Sequence, residues 1–187
     1  NQPTILGDTP LMSSLARAPR GTYVGFLGHP RVDFDAVNND GKTPLYLAVE
    51  SSNAQAVEDI VSRCSYRTCN MQTRRRGDTA LCLAARSTTP ESATAMVRIL
   101  LSNQHVDASI ADYEGKTPLH HAAIVGNLET CRLLGIRLDG GVTAECKKGL
   151  TPLGYAKRLH HGLAPLLVAL TRMAEALPAG RVRPGSS

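Results

Sequence analysis

A chain of 187 residues with no Trp and 4% aromatic side chains must build its core from Leu, Ile, Val and Ala layers, which excludes a large aromatic ligand cage. Its formal charge is +5, no apolar run reaches the length of a membrane span, and no charged-then-apolar leader opens it. Because the chain opens on Asn1 rather than Met, it reads as a piece of a longer protein.

Five copies of one short signal order the chain: Gly7-Asp8-Thr9-Pro10-Leu11, Gly41-Lys42-Thr43-Pro44-Leu45, Gly77-Asp78-Thr79-Ala80-Leu81, Gly115-Lys116-Thr117-Pro118-Leu119 and Gly149-Leu150-Thr151-Pro152-Leu153. Gly takes the positive φ of a tight turn without steric cost. Thr two positions later suits an N-cap, its hydroxyl accepting from a free N–H of the coming turn. Pro at the first helical position loses only an N–H that has no helical partner anyway. The pattern predicts helix starts at Thr9, Thr43, Thr79, Thr117 and Thr151.

Short helices rich in small residues follow, as in Leu45-Tyr46-Leu47-Ala48-Val49, Leu81-Cys82-Leu83-Ala84-Ala85 and Leu119-His120-His121-Ala122-Ala123. Behind them come stretches with one-sided apolar spacing, through Val57-Ile60-Val61, Met96-Val97-Leu100 and Leu128-Cys131-Leu134. The glycines stand 34, 36, 38 and 34 positions apart. A fixed period in that range means a solenoid, whose repeats stack because none buries its apolar face alone. The surplus residues of the two longer intervals are expected to bulge as exposed loops at 65–69 and 87–92.

The fourth unit, Asp112-Tyr113-Glu114-Gly115-Lys116-Thr117-Pro118-Leu119-His120-His121-Ala122-Ala123 continued by Gly126-Asn127-Leu128-Glu129, closely resembles an ankyrin repeat. The resemblance covers about residues 7 to 175. Only this unit has His after the motif Leu; Met12, Tyr46, Cys82 and Gly154 stand there in the others, and the first and fifth units are the most degenerate. The fold expected is all-α: an ankyrin-repeat solenoid of about five helix–turn–helix units with short β-hairpin-like turn tips. It occupies residues 1–176, with units starting near 7, 41, 77, 115 and 149, followed by a flexible Pro/Gly/Arg tail at 177–187.

Chemistry-bearing residues do not assemble into an enzyme motif. His120 occupies the family's structural slot, and His121 is expected to face outward. His29, His160 and His161 lack a Cys, Ser or carboxylate at triad spacing. Gly140-Gly141 lacks the Lys-Ser/Thr of a phosphate loop. Cys64 and Cys69 have no second pair of ligands at zinc spacing, and Cys82 and Cys131 fall on apolar faces, so neither metal nor cofactor is expected. An odd, irregular set that also includes Cys146 suits a reducing compartment.

The resemblance implies a protein–protein interaction scaffold rather than an enzyme, intracellular, in the cytoplasm or nucleus. A partner protein would be bound through the concave face and the turn tips. The outward positions two residues after each motif Leu give Leu47, Leu83, His121 and Tyr155 as a row across four units. Arg74, Arg75, Arg76, Tyr113, Lys147 and Lys148 surround it from the tips. The Arg74–Arg76 run reads as a solvated tip, as a footprint for an acidic or phosphorylated partner segment, or as a nucleic-acid contact, the last disfavoured by the missing interleaved aromatics. Neither a small-molecule substrate nor membrane insertion is expected. The alternative role is a regulatory or targeting domain of a larger enzyme, or a masking protein similar to the NF-kappa-B inhibitors.

Overall fold

The computed structural model describes residues 7–17, 21–137, 141–159 and 162–176. The tail expected at 177–187 and His160 and His161 lie outside them. Eleven helices follow in order: α1 (Pro10–Arg17), α2 (Val24–Leu27), α3 (Pro44–Glu50), α4 (Ala54–Val61), α5 (Tyr66–Cys69), α6 (Ala80–Ala85), α7 (Pro90–Ser102), α8 (Pro118–Val125), α9 (Leu128–Ile136), α10 (Pro152–Arg158) and α11 (Ala164–Ala176). No strand occurs among the described residues.

Each helix start has the local chemistry read from the sequence. Thr43, Thr79 and Thr151 are extended and accept through their hydroxyls from the N–H groups of Tyr46, Cys82 and Gly154. The motif glycines Gly7, Gly41, Gly77, Gly115 and Gly149 all have φ between +68° and +78°. Asn53 and Asn127 cap the second helices α4 and α9 in the same way.

The helices form two layers. α1, α3, α6, α8 and α10 pack side by side as the first-helix row, and α4, α7, α9 and α11 pack as the second row, each against its own unit's first helix. One continuous apolar core runs between the rows, through Leu45, Ile60, Leu81, Met96, Leu119, Leu134 and Leu167. The first unit is the exception: its second helix is reduced to the single turn α2.

The segment at 65–69 does not form the expected loop, and the one at 87–92 does so only over 87–89. Residues 65–69 fold as the helical turn α5, capped by Ser65 and with Thr68 and Cys69 buried. After α6 the chain turns through 86–89, and the rest of that surplus lengthens α7 to 13 residues. Burial of Thr68 and Cys69 accounts for the helical turn at the first insertion, whereas the second stays exposed from 88 to 91.

Candidate partner-binding surface

Four equivalent turns carry the tips of units two to five and take their unit's number: the second at 38–42, the third at 73–78, the fourth at 112–116 and the fifth at 146–150. In each, the first residue's N–H donates to the carbonyl of the last: Asn38 to Lys42, Thr73 to Asp78, Asp112 to Lys116 and Cys146 to Leu150. These are hairpin-type closures. The third turn is one residue longer than the others. Gly77 N–H reaches back four positions to Thr73, whereas Gly41, Gly115 and Gly149 reach back three. The inserted position falls within Arg74-Arg75-Arg76.

Consecutive tips are pinned through their backbones. Arg74 N–H donates to Asp40 C=O (2.9 Å), Tyr113 N–H to Arg76 C=O (2.8 Å) and Lys147 N–H to Glu114 C=O (2.9 Å). Side chains close two of the turns from inside: Asn38 Oδ1 accepts from the N–H groups of Asp40 and Lys42, and Asp112 Oδ1 from those of Glu114 and Lys116. The tip row is therefore rigid before any partner arrives.

Beneath the third tip, a buried carboxylate does the equivalent work. Asp78 accepts from the Thr73 hydroxyl, from Tyr46 OH (3.2 Å) and from the Arg86 guanidinium (3.2 Å). Burial, with the nearby Asp78 charge, pushes the Tyr46 phenol well above its ordinary range. Asp78 and Arg86 stand eight positions apart, at opposite ends of α6. Lys42 and Glu50 pair across α3 at the same spacing with the signs reversed, at 2.8 Å. In the fourth unit Ile124 stands where the acid would be, and Lys116 pairs instead with Glu114 at 2.5 Å.

Of the expected contact row, Leu47 and His121 are not exposed. Leu47 is buried in the core, because α3 is flanked by α1 and α6 and covered by α4, which leaves this short helix no free apolar face. His121 is buried because its Nε2 meets Asp112 Oδ2 at 2.9 Å, drawing the ring under the fourth tip. Leu83 is half-buried. Tyr155 is also half-buried: its ring lies edge-on to His120 at 6.0 Å, and its hydroxyl is 3.5 Å from Cys146 Sγ. Arg74, Arg75, Arg76, Tyr113, Lys147 and Lys148 are exposed. The accessible part of the row is thus at the tips rather than along the first helices.

His120 has the structural place expected of it. Thr117 N–H donates to its Nδ1 (3.1 Å), and its Nε2 lies 3.0 Å from Leu150 C=O, so the ring ties the fourth unit's cap to the fifth tip. Burial lowers the His120 pKa below 6.5 despite the Leu150 bond. Burial likewise lowers that of His121 despite Asp112. Unfolded imidazoles, near 6.5, then take protons at higher pH than the folded ones. Stability is expected to be flat above about pH 7 and to fall below about 6.5, by up to about 1.4 kcal/mol per pH unit for each histidine. Urea denaturation between pH 7.5 and 5.5 checks this; equal midpoints across the series would contradict it.

The five cysteines are buried free thiols, and burial raises Cys82 to about 11 and Cys131 to about 12. Among the described residues no three His, Cys, Asp or Glu side chains gather where a metal could be held. No helix among them is long and apolar enough to cross a membrane.

The pairing of Arg86 with Asp78 beneath the tip was not foreseen from the sequence. The signal available was the opposite charge eight positions after the motif's second residue, which recurs with reversed sign in the preceding unit.

Comparison with known proteins agrees with this architecture. The family model for ankyrin repeats (3 copies) matches residues 64–140 and 93–175. The chain is 33% identical over 157 residues to neurogenic locus notch homolog protein 1 of Xenopus tropicalis, which covers 83% of this chain and 6% of that protein. It is 32% identical over 155 residues to the B-cell lymphoma 3 protein homolog of Mus musculus, covering 80% of this chain and 33% of the relative. The human notch homolog protein 1 is 35% identical over 135 residues, 72% of this chain. The chain spans a third or less of each of these relatives. The family model's match to more than half of the chain, together with the repeated capped first helices, places the chain in the ankyrin-repeat family. Ankyrin repeats are generally protein–protein interaction modules, and the fold is a non-catalytic one.

Proposed function

We propose that this chain is a binding module without catalysis of its own, which holds a partner protein against the row of turn tips and the troughs beneath them. The observation that carries this is the tip row itself. Arg74–Arg76, Tyr113, Lys147 and Lys148 are exposed side chains on a backbone already fixed by three hydrogen bonds between tips. Such preorganisation lowers the ordering cost of association. Leu83 and Tyr155, both half-buried, contribute at the margin. Leu47 and His121 support the row from within. That the chain matches only a part of each longer relative favours a regulatory or targeting role within a larger protein. Five buried free thiols fit an intracellular setting, in cytoplasm or nucleus.

Comparative capture from cell extract tests the reading. The triple variant Arg75→Glu/Tyr113→Ala/Lys147→Glu should lose the proteins that the unaltered chain retains. Arg98→Glu/Arg132→Glu, on the second-helix row, should keep them. Retention by the tip variant, with loss from the second-row variant, would move the interface to the other side of the stack.

A further inference from the structure

Two troughs of about 300 and 410 Å³ flank the third tip, and Arg75, Arg76 and Arg86 line both. Most other charges along them are already matched. Lys42 pairs with Glu50, Arg86 with Asp78 and Lys116 with Glu114, while Asp112 is hydrogen-bonded to His121, whose charged form burial disfavours. Arg75 and Arg76 make no ion pair with any described residue, and Asp40 and Asp112 are the carboxylates along the two troughs without a cationic partner. Cations and carboxylates thus balance over the two troughs together, and the unpaired positive charge is local to the Arg75–Arg76 wall between them, with exposed Arg74 beside it.

The wall is held in place. Its backbone is tied to Asp40 on one side and Tyr113 on the other, and its turn is the one lengthened by a residue. The Tyr113 ring lies against Gly77, where a Cβ would meet its Cδ1 at 2.3 Å, and 52% of the residue remains exposed beside the arginines.

We propose that the partner segment at this tip is acidic: an extended stretch with at least two carboxylates, one on each side of the Arg75–Arg76 wall, and an uncharged side chain against Tyr113. The proposal rests on the partner-binding reading above and adds the chemistry of what is bound. Guanidinium forks suit carboxylates bidentately. A single phosphate calls for several free guanidiniums converging on one point, whereas of the three that line both hollows Arg86 is committed to Asp78, which leaves two. A nucleic-acid strand would bring its charge ladder against Asp40, Glu50 and Glu114, with one stacking aromatic available instead of several.

Fluorescence anisotropy with labelled peptides on the whole chain tests this. The probes are an alternating Glu/Ala peptide with a central Leu, the same peptide with Gln for Glu, one with a single phosphoserine and no Glu, and a single-stranded DNA. The acidic peptide should bind at least about tenfold tighter than the Gln peptide at low salt. That preference should collapse near 0.5 M salt, where screening acts within about 4 Å. Arg75→Ala/Arg76→Ala should remove it, and Arg98→Ala should not. Equal binding of the Glu and Gln peptides, an unaltered Arg75→Ala/Arg76→Ala variant, or tightest binding of the phosphoserine peptide or the DNA would overturn the proposal. If partners are still lost from the tip variant in the capture comparison while the acidic peptide fails, the tip interface stands and its acidic chemistry falls. If neither responds, both readings fall.

Discussion

Asp78→Ala is expected to destabilise the domain by about 3 kcal/mol, because it orphans three donors together rather than one. Tyr46 OH, the Thr73 hydroxyl and Arg86 all point at this carboxylate, and Tyr46 and Thr73 are buried with no other partner for those hydroxyls. A buried donor left unsatisfied costs about 1–3 kcal/mol, and removing one member of a buried ion pair more. Arg86 is partly exposed and recovers some hydration, which keeps the sum near 3 rather than above 5. For a domain of this size that corresponds to a fall in Tm of roughly 6–12 °C. Asp78→Asn should recover part of the loss, with its amide oxygen accepting from Tyr46 and Arg86 and its NH2 donating to the Thr73 hydroxyl, but without the charge that Arg86 meets. A thermal shift under about 2 °C for Asp78→Ala would show that the network is dispensable.

Gly115→Val should cost about 3 kcal/mol or more, and the comparison with Gly149→Ala separates the two reasons. Both glycines are left-handed, at φ +76° and +68°. At Gly115 a Cβ would sit 3.0 Å from Lys147 N and 3.2 Å from Cys146 Cα, backbone atoms of the next tip that cannot swing aside. At Gly149 an added Cβ meets nothing within 4 Å. Gly149→Ala should therefore show conformational strain alone, about 1–2 kcal/mol. Gly115→Val adds β-branching and a clash that pushes the fourth and fifth tips apart. Guanidinium unfolding of the two variants checks this; equal losses would mean that the tips do not touch at Gly115.

Helix starts and unit count were legible in the sequence because their causes are local. A Gly at positive φ, a Thr cap and a Pro at the first helical position act within five residues, so five copies of the signal yield five first helices. The fate of the surplus residues was not legible. Residues 65–69 became α5 because Thr68 and Cys69 found a buried seat, and that seat is made by other units. Exposure along the first helices was misread for the same reason. His121 turns inward to an aspartate nine positions earlier in the preceding tip, and Leu47 is enclosed by helices on three sides, neither of which periodicity encodes. The tips fared better: Arg74, Arg75, Arg76, Tyr113, Lys147 and Lys148 are charged or polar-tipped residues at turns, where little structure exists to cover them.

The one extra residue in the third turn bears on function more than on stability. It lengthens the loop that carries three consecutive arginines while leaving the hydrogen bonds to the tips on either side intact. A change confined to those arginines should consequently alter binding and spare the stack.

The central claim is that the third tip carries the interface, and the affinity of a captured partner for the unaltered chain and for Arg74→Glu/Arg75→Glu/Arg76→Glu, titrated across salt, tests it most directly. The account predicts that the variant keeps its helical circular dichroism and Tm, and binds at least about tenfold more weakly at low salt with slower association. The gap should narrow as salt screens exposed charges beyond about 8–10 Å and then at shorter range. Equal affinity of the two proteins at low salt would contradict the account and leave Arg74–Arg76 a solvated tip.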